Sequence, residues 1–291
     1  MLLKISSHAV FVAFLLLIGM ASVAALTIYG WSYYLLPFPD RPFSEQYAWM
    51  KPSGSFSHGL GIFGSLMIFL GVTGYSSRKR LRWLSSTGRL SNWLDIHIFL
   101  CLMGPVLVIY HTTFKIGGVA AITFWTMISV ASSGIIGRFL YARIPRNVHG
   151  IHLSHDELSG QINTLGNTLS QTPAGALLVA FIDKAFQSVA APTSLSSLIK
   201  TLLQIEGIKA RTRRELRWVV RDEHVSRELR HQLHVAAIER LNLRERSLIL
   251  QQVERFFYYW HAIHLPFTII MFITLAMHVA VVILLGYRWI G

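Results

Sequence analysis

The sequence predicts an all-α membrane protein: a five-transmembrane-helix bundle with a helical cytoplasmic insert between the fourth and fifth helices. Three observations predict it. Hydrophobic residues make up 53% of the 291 and charged residues only 14%, against about a quarter charged in an average soluble domain. The charges are unevenly spread, with long uncharged runs separated by short basic blocks. Five of those runs are long enough to cross roughly 30 Å of hydrocarbon as helices. The formal net charge of +13 therefore reads as loop charge that sets topology, and no nucleic-acid partner is expected.

The first span is expected from about Ala9 to Gly30. Lys4 and the small residues Ala21-Ser22-Val23-Ala24-Ala25 resemble a cleavable signal peptide, but apolar residues continue through Leu26, Ile28, Trp31, Tyr33 and Tyr34. That length favours a retained helix. The second span, His58 to Tyr75, is short, so basic residues at its end are expected to snorkel. The third runs from Trp93 to Phe114, the fourth from Val119 to Tyr141, and the fifth from Phe256 to Leu285. The short loop 76–92 carries Arg78, Lys79, Arg80, Arg82 and Arg89 with no acid, which puts it in the cytoplasm. Arg138, Arg143 and Arg146 agree. Odd-numbered spans then run outward, and the C-terminal end lies outside a bacterial inner membrane.

On this reading residues 1–146 hold spans one to four, 147–255 the insert, and 256–291 the span that completes the bundle. The insert reads as amphipathic helices. Ser154-His155-Asp156-Glu157 and Asn242-Leu243-Arg244-Glu245 look like capping boxes that open helices. Thr172-Pro173 places a cap before a first-turn proline. Leu229, Leu233, Ala236 and Ala237 recur at helical spacing. The chain has no glycine-rich phosphate loop and no dinucleotide fingerprint, so neither a flavin nor a nicotinamide domain is expected. Its one cysteine, Cys101, excludes a disulfide framework, a thiolate-held cluster and a c-type haem attachment within the chain.

The informative residues are histidines. The third span carries His97 and His111, and the fifth carries His264 and His278, each pair 14 positions apart. Fourteen helical steps leave two side chains about 40° apart on one face and about 21 Å apart along the axis. Both spans are odd-numbered and run the same way, so His97 meets His264 on the inner side and His111 meets His278 on the outer side. Neutral imidazole is a good axial ligand for haem iron, and two of them make a six-coordinate electron-transfer centre. The second ring nitrogen should then donate to a carbonyl or side chain, fixing the tautomer. Gly104 lies midway between His97 and His111. It and Gly61, Gly64, Gly71 and Gly74 admit two readings, close approach of a porphyrin edge or close helix packing.

This pattern is similar to the diheme membrane cytochromes b, the group that includes quinol-oxidising cytochrome b subunits and ferric-reductase-like proteins. The segments Trp93-Leu94-Asp95-Ile96-His97 and Tyr259-Trp260-His261-Ala262-Ile263-His264-Leu265-Pro266-Phe267 also resemble a bacterial set of cytochrome b-like proteins. The resemblance covers all five spans and implies two b haems, a quinone or quinol partner, and membership of a larger oxidoreductase complex. Iron–sulfur or c-type cytochrome proteins would be its other subunits. The chain departs from ferric reductases in lacking nucleotide and flavin domains, and from quinol-oxidising cytochrome b in lacking an eight-helix body. It is therefore expected to act as a conduit between partners, passing electrons between a quinone pool or cytoplasmic donor and an outer-side acceptor.

Secondary candidates carry plainer readings beside the functional ones. Arg78, Arg80 and Arg82 can pair with the inner haem's propionates, or simply set topology and meet phospholipid. Lys115 can serve the outer propionates or snorkel. His58 can line a quinone pocket, relay a proton or bond a propionate, or owe its place to the interface. His261 competes with His264 but has no partner 14 positions onward. His149, His152 and His155 can bind a metal or form a polar connector, while His224, His231 and His234 sit among charges and face solvent or a partner. Two other function classes stay open. One is a metal-ion transporter built on intramembrane histidines, which would need more ionisable groups than the spans hold beyond Asp95. The other is a non-redox anchor or sensor working through the insert.

Overall fold

A computed structural model of the chain describes residues 7–84, 86–118, 120–143, 155–219 and 227–285, the side chains of 155, 195, 215–219 and 227–230 aside. Among the described residues there is no strand. The helices are α1 (Ser7–Tyr34), a one-turn α2 (Tyr47–Met50), α3 (Ser55–Arg80), α4 (Leu90–His111), α5 (Ala120–Tyr141), α6 (His155–Leu169), α7 (Pro173–Gln187), α8 (Leu195–Val219) and α9 (Arg227–Leu284). Among the described residues five helical stretches are long and apolar enough to cross a membrane: α1, Tyr47–Arg80 across α2 and α3, α4, α5 and His231–Leu284 within α9. Exposure on α1 makes the same point, with Val10, Phe14, Leu16 and Leu17 each more than half exposed. A face that apolar needs lipid around it.

Two compact units divide the chain, residues 1–134 with 264–291 and residues 135–263. In the first, α3 and α4 form an antiparallel pair joined by a seam of small residues. A Cβ on Gly64 would stand 2.7 Å from the Gly104 carbonyl, and one on Gly71 would stand 2.9 Å from Cys101 Sγ. Only glycine lets the backbones approach so closely. On the other side of the unit, Thr123 Oγ1 donates to the Thr274 carbonyl at 3.0 Å. Ile68, Phe124, Met127, Val130 and Met271 form a buried apolar cluster in this unit.

The second unit has its own core, in which Leu178, Ile182, Leu198, Ile205, Leu241, Ile249 and Val253 are almost wholly buried. Each contributes about 1.5–3 kcal/mol relative to exposure. Thr172 caps α7 by accepting from the Gly175 N–H at 3.1 Å, as the Thr172-Pro173 pair predicts. Leu233 and Ala237 are buried in this core with Ala236 against it, while the Leu229 side chain lies outside the described residues.

Three boundaries differ from those read in the sequence. The second span is not short: α3 has 26 residues, with Arg78, Lys79 and Arg80 in its last turn, where cations meet the negative end of the helix dipole. The third span stops at His111, because Thr113 and Phe114 take φ values of 49° and 63°. The left-handed turn is held by Arg41, whose Nη1 donates to the Thr113 carbonyl at 2.6 Å. Asn242 opens no helix. It lies inside the 58-residue α9, and the Glu245 carboxylate that would close a capping box is taken by Lys209 Nζ.

Candidate functional site

The end of α4 presents His111 to a cavity of about 670 Å³, within the range of small-molecule and cofactor sites. His58 from α3, His111 from α4 and His278 from α9 all line it, with apolar residues such as Phe124, Met127 and Leu275 making most of the rest. The His58 and His111 rings are 6.1 Å apart, edge to face. Gly61 lies directly under the His111 imidazole: a Cβ there would be 2.9 Å from Cγ. The His111 ring is fixed from behind, its Nδ1 lying 2.8 Å from the Ser57 carbonyl. A carbonyl only accepts, so Nδ1 carries the proton and Nε2 keeps its lone pair.

The same arrangement recurs at His97. Its Nδ1 is 2.9 Å from the Gly71 carbonyl and 3.6 Å from Cys101 Sγ. Its ring lies 5.3 Å from that of Tyr75, tilted by 31°. The two acceptors, Ser57 and Gly71, are themselves fourteen positions apart on α3. Their midpoint, Gly64, faces Gly104, the midpoint of the two histidines. Antiparallel helices with a seven-residue repeat thus pair Ser57 with His111, Gly64 with Gly104 and Gly71 with His97.

His264 is fixed by a side chain. Its Nδ1 lies 2.6 Å from Ser133 Oγ, and that hydroxyl spends its own proton on the Val130 carbonyl at 2.9 Å. With the hydroxyl proton on that carbonyl, the serine oxygen is an acceptor for Nδ1–H. Three of the four paired histidines thus have Nδ1 held against an oxygen acceptor. This is the habit of metal-bound histidine. His278 is partly buried on the cavity wall, at the level of Thr123 and Val282.

The remaining candidates fall elsewhere. Of the two readings of Gly104, the geometry supplies helix packing: a Cβ there would meet Ile68 Cγ1 at 2.6 Å and the Gly64 carbonyl at 2.7 Å. Arg78 ties α3 to the following loop, donating to the Thr87 and Gly88 carbonyls at 3.3 and 3.1 Å. Arg80, Arg82 and Lys115 are exposed. His261 is exposed beside Trp260. His149, His152, His224 and the His155 side chain lie outside the described residues. Among the described residues no group of three or more His, Cys, Asp or Glu is placed to hold a bare metal ion. A haem needs no such group, because the porphyrin supplies four of the iron's six donors.

Sequence reasoning missed several participants. Ser133 belongs to a Ser132-Ser133 pair inside an apolar span, and polar residues so placed commonly bond between helices. That signal was legible. Arg41 was not: it is buried and donates to the Leu36, Tyr34 and Thr113 carbonyls, and nothing in its neighbours marks it. His8 meets the buried Asp95 at 3.6 Å. No protein-family model, curated protein or solved structure matches the chain.

Proposed function

We propose that this chain is a diheme b-type cytochrome subunit of a membrane oxidoreductase complex. His97 and His264 are the axial ligands of one haem, and His111 and His278 those of the other. The observation that carries the reading is that Nδ1 of His97, His111 and His264 each lies against a fixed oxygen acceptor, the arrangement that orients a metal-ligating imidazole. The cavity common to His111 and His278 gives the second pair room for a planar group, and Gly61 keeps the helix surface low beneath the His111 ring. When bound, six-coordinate haem iron carries one electron at a time between ferric and ferrous states.

The basic loop 76–92 supports a cytoplasmic side for the His97 level and an outer side of a bacterial inner membrane for the His111 level. Residues 147–255 then face the cytoplasm, and exposed arginines there such as Arg211, Arg213 and Arg214 suit an acidic iron–sulfur protein or anionic lipid. Quinone or quinol exchanges electrons at one face, and a c-type cytochrome or other soluble carrier serves the far end. The chain's contribution is to orient the ligands, exclude water between the two levels and fix ligand basicity through the Nδ1 bonds.

An optical spectrum tests this directly. Protein purified after expression with ample haem should give a reduced b-type spectrum with about two haems per chain. His97→Ala or His264→Ala should remove one haem, and His111→Ala or His278→Ala the other. A colourless preparation overturns the proposal.

A further inference from the structure

A second cavity, of about 470 Å³, lies between the end of α1, the loop after it and the end of α4. Its wall is a cluster of three rings, Tyr34, Tyr110 and Phe114, with centroids 5.3 to 5.6 Å apart. Tyr110 adjoins His111, so this wall continues directly into the helix end that carries a proposed haem ligand. Trp31 and Leu35, 58% and 65% exposed, rim the cavity, so in a membrane it opens to the acyl chains.

Its polar groups are few and specific. The Tyr34 hydroxyl is buried with no hydrogen-bond partner among the described residues, an arrangement that costs about 1–3 kcal/mol unless something fills it. Arg41 spends three N–H groups on the Leu36, Thr113 and Tyr34 carbonyls, which leaves two of a guanidinium's five. Thr27 Oγ1 donates to the Val23 carbonyl, so the Tyr110 hydroxyl, 2.6 Å away, donates to Thr27 and keeps its own lone pairs. The cavity thus offers stacking faces, donors from Tyr34 and Arg41, and an acceptor on Tyr110. One charged side chain among five aromatic rings is poor provision for a phosphodiester. It suits a flat, lipid-soluble ring with oxygens at its edges.

We infer that this cavity is the binding site for the ring of a membrane quinone or quinol, a placement that rests on the proposed function. The test uses the full chain in lipid nanodiscs and a short-chain azidoquinone as photoaffinity probe. Labelling should fall within residues 27–41 and 110–114 and be competed by an unlabelled short-chain quinone. Tyr34→Phe should weaken that competition roughly three- to tenfold, as loss of one hydrogen bond does. Trp31→Leu, a change at an exposed rim position, should weaken it without altering thermal unfolding. Labelling elsewhere, labelling that the quinone does not compete, or protection by anionic phospholipid alone overturns the inference. The labelling needs no haem. A colourless protein that is still labelled here sinks the cytochrome reading and leaves the site, whereas a two-haem protein without this labelling does the reverse.

Discussion

Ser133→Ala is the sharpest perturbation the geometry offers. The acceptors for His97 and His111 are backbone carbonyls that no substitution removes, but the acceptor for His264 is one hydroxyl. Alanine deletes it without harming α5, since alanine is the better helix former and the Val130 carbonyl loses only an auxiliary donor. What remains is a partly buried Nδ1–H that has lost this acceptor. Losing such a partner costs about 1–3 kcal/mol, or roughly a 5- to 150-fold loss of affinity. That brackets the roughly 10- to 100-fold effect typical of partners behind a metal ligand. The ligand also becomes less basic, so the midpoint potential of the His97/His264 haem should rise. Haem titration into apoprotein and a spectroelectrochemical titration read the two effects. The His111/His278 haem serves as the internal reference. Equal weakening of both haems would make Ser133 a folding residue only. No change in either would remove the reason for assigning Nε2 of His264 to iron.

Two glycines on the α3–α4 seam should separate site effects from fold effects. Gly61→Val pushes against the His111 ring, whose atoms stand 2.9–3.0 Å from the added Cβ. It should cost about 1–3 kcal/mol and disturb the His111/His278 haem alone. Gly104→Val meets the Gly64 backbone, which cannot yield, so both haems and the thermal transition should be lost together. On the proposed ligand set, which leaves His58 on the cavity wall, His58→Ala should leave a two-haem protein with an unchanged low-spin bis-imidazole EPR signal. A high-spin signal there would make His58 an axial ligand in place of His278. In the second unit, Asp183 accepts from both Arg240 and Arg244 at 2.8–3.2 Å. With the Arg240 side chain 4% exposed, Asp183→Asn should cost on the order of 2–3 kcal/mol, discounted from a fully buried pair for the half-open Arg244. Chemical denaturation of the intact chain should show it, with the haem spectrum unmoved.

The periodic parts of the molecule were legible in the sequence. Apolar runs gave the spans, because a helix facing lipid must be apolar along its whole length, and the 14-residue spacing gave the matched histidines. Features set by single side chains or by the backbone were less accessible. Asn242 to Glu245 has the composition of a capping box, yet tertiary pairing of Glu245 with Lys209 overrides the local signal. The end of α4 turns on Arg41, some seventy residues earlier, and no window around Phe114 contains that information. The histidine acceptors on α3 are carbonyls, which every residue has. Only the register of two helices selects Ser57 and Gly71.

That register bears on what can cross the bundle. Between the two histidine levels, Gly64 and Gly104 close the α3–α4 seam, and Ile68, Met127, Val130 and Met271 form a buried apolar layer, of which Ile68, Met127 and Met271 also line the His111 cavity. A transported ion would need partners there to replace its hydration shell, and an isolated charge in such a layer is costly. The described residues of that layer include no ionisable side chain. An electron needs no hydration shell; it needs only donors and acceptors held at fixed separation in a medium that does not reorganise. An apolar layer whose described residues carry no charge favours the electron-carrying reading over histidine-based ion transport, and the histidine levels on either side of it are about 21 Å apart along their helices. The histidines sit on either side of that layer and none lies within it, the placement expected of relay stations on each side of an insulator.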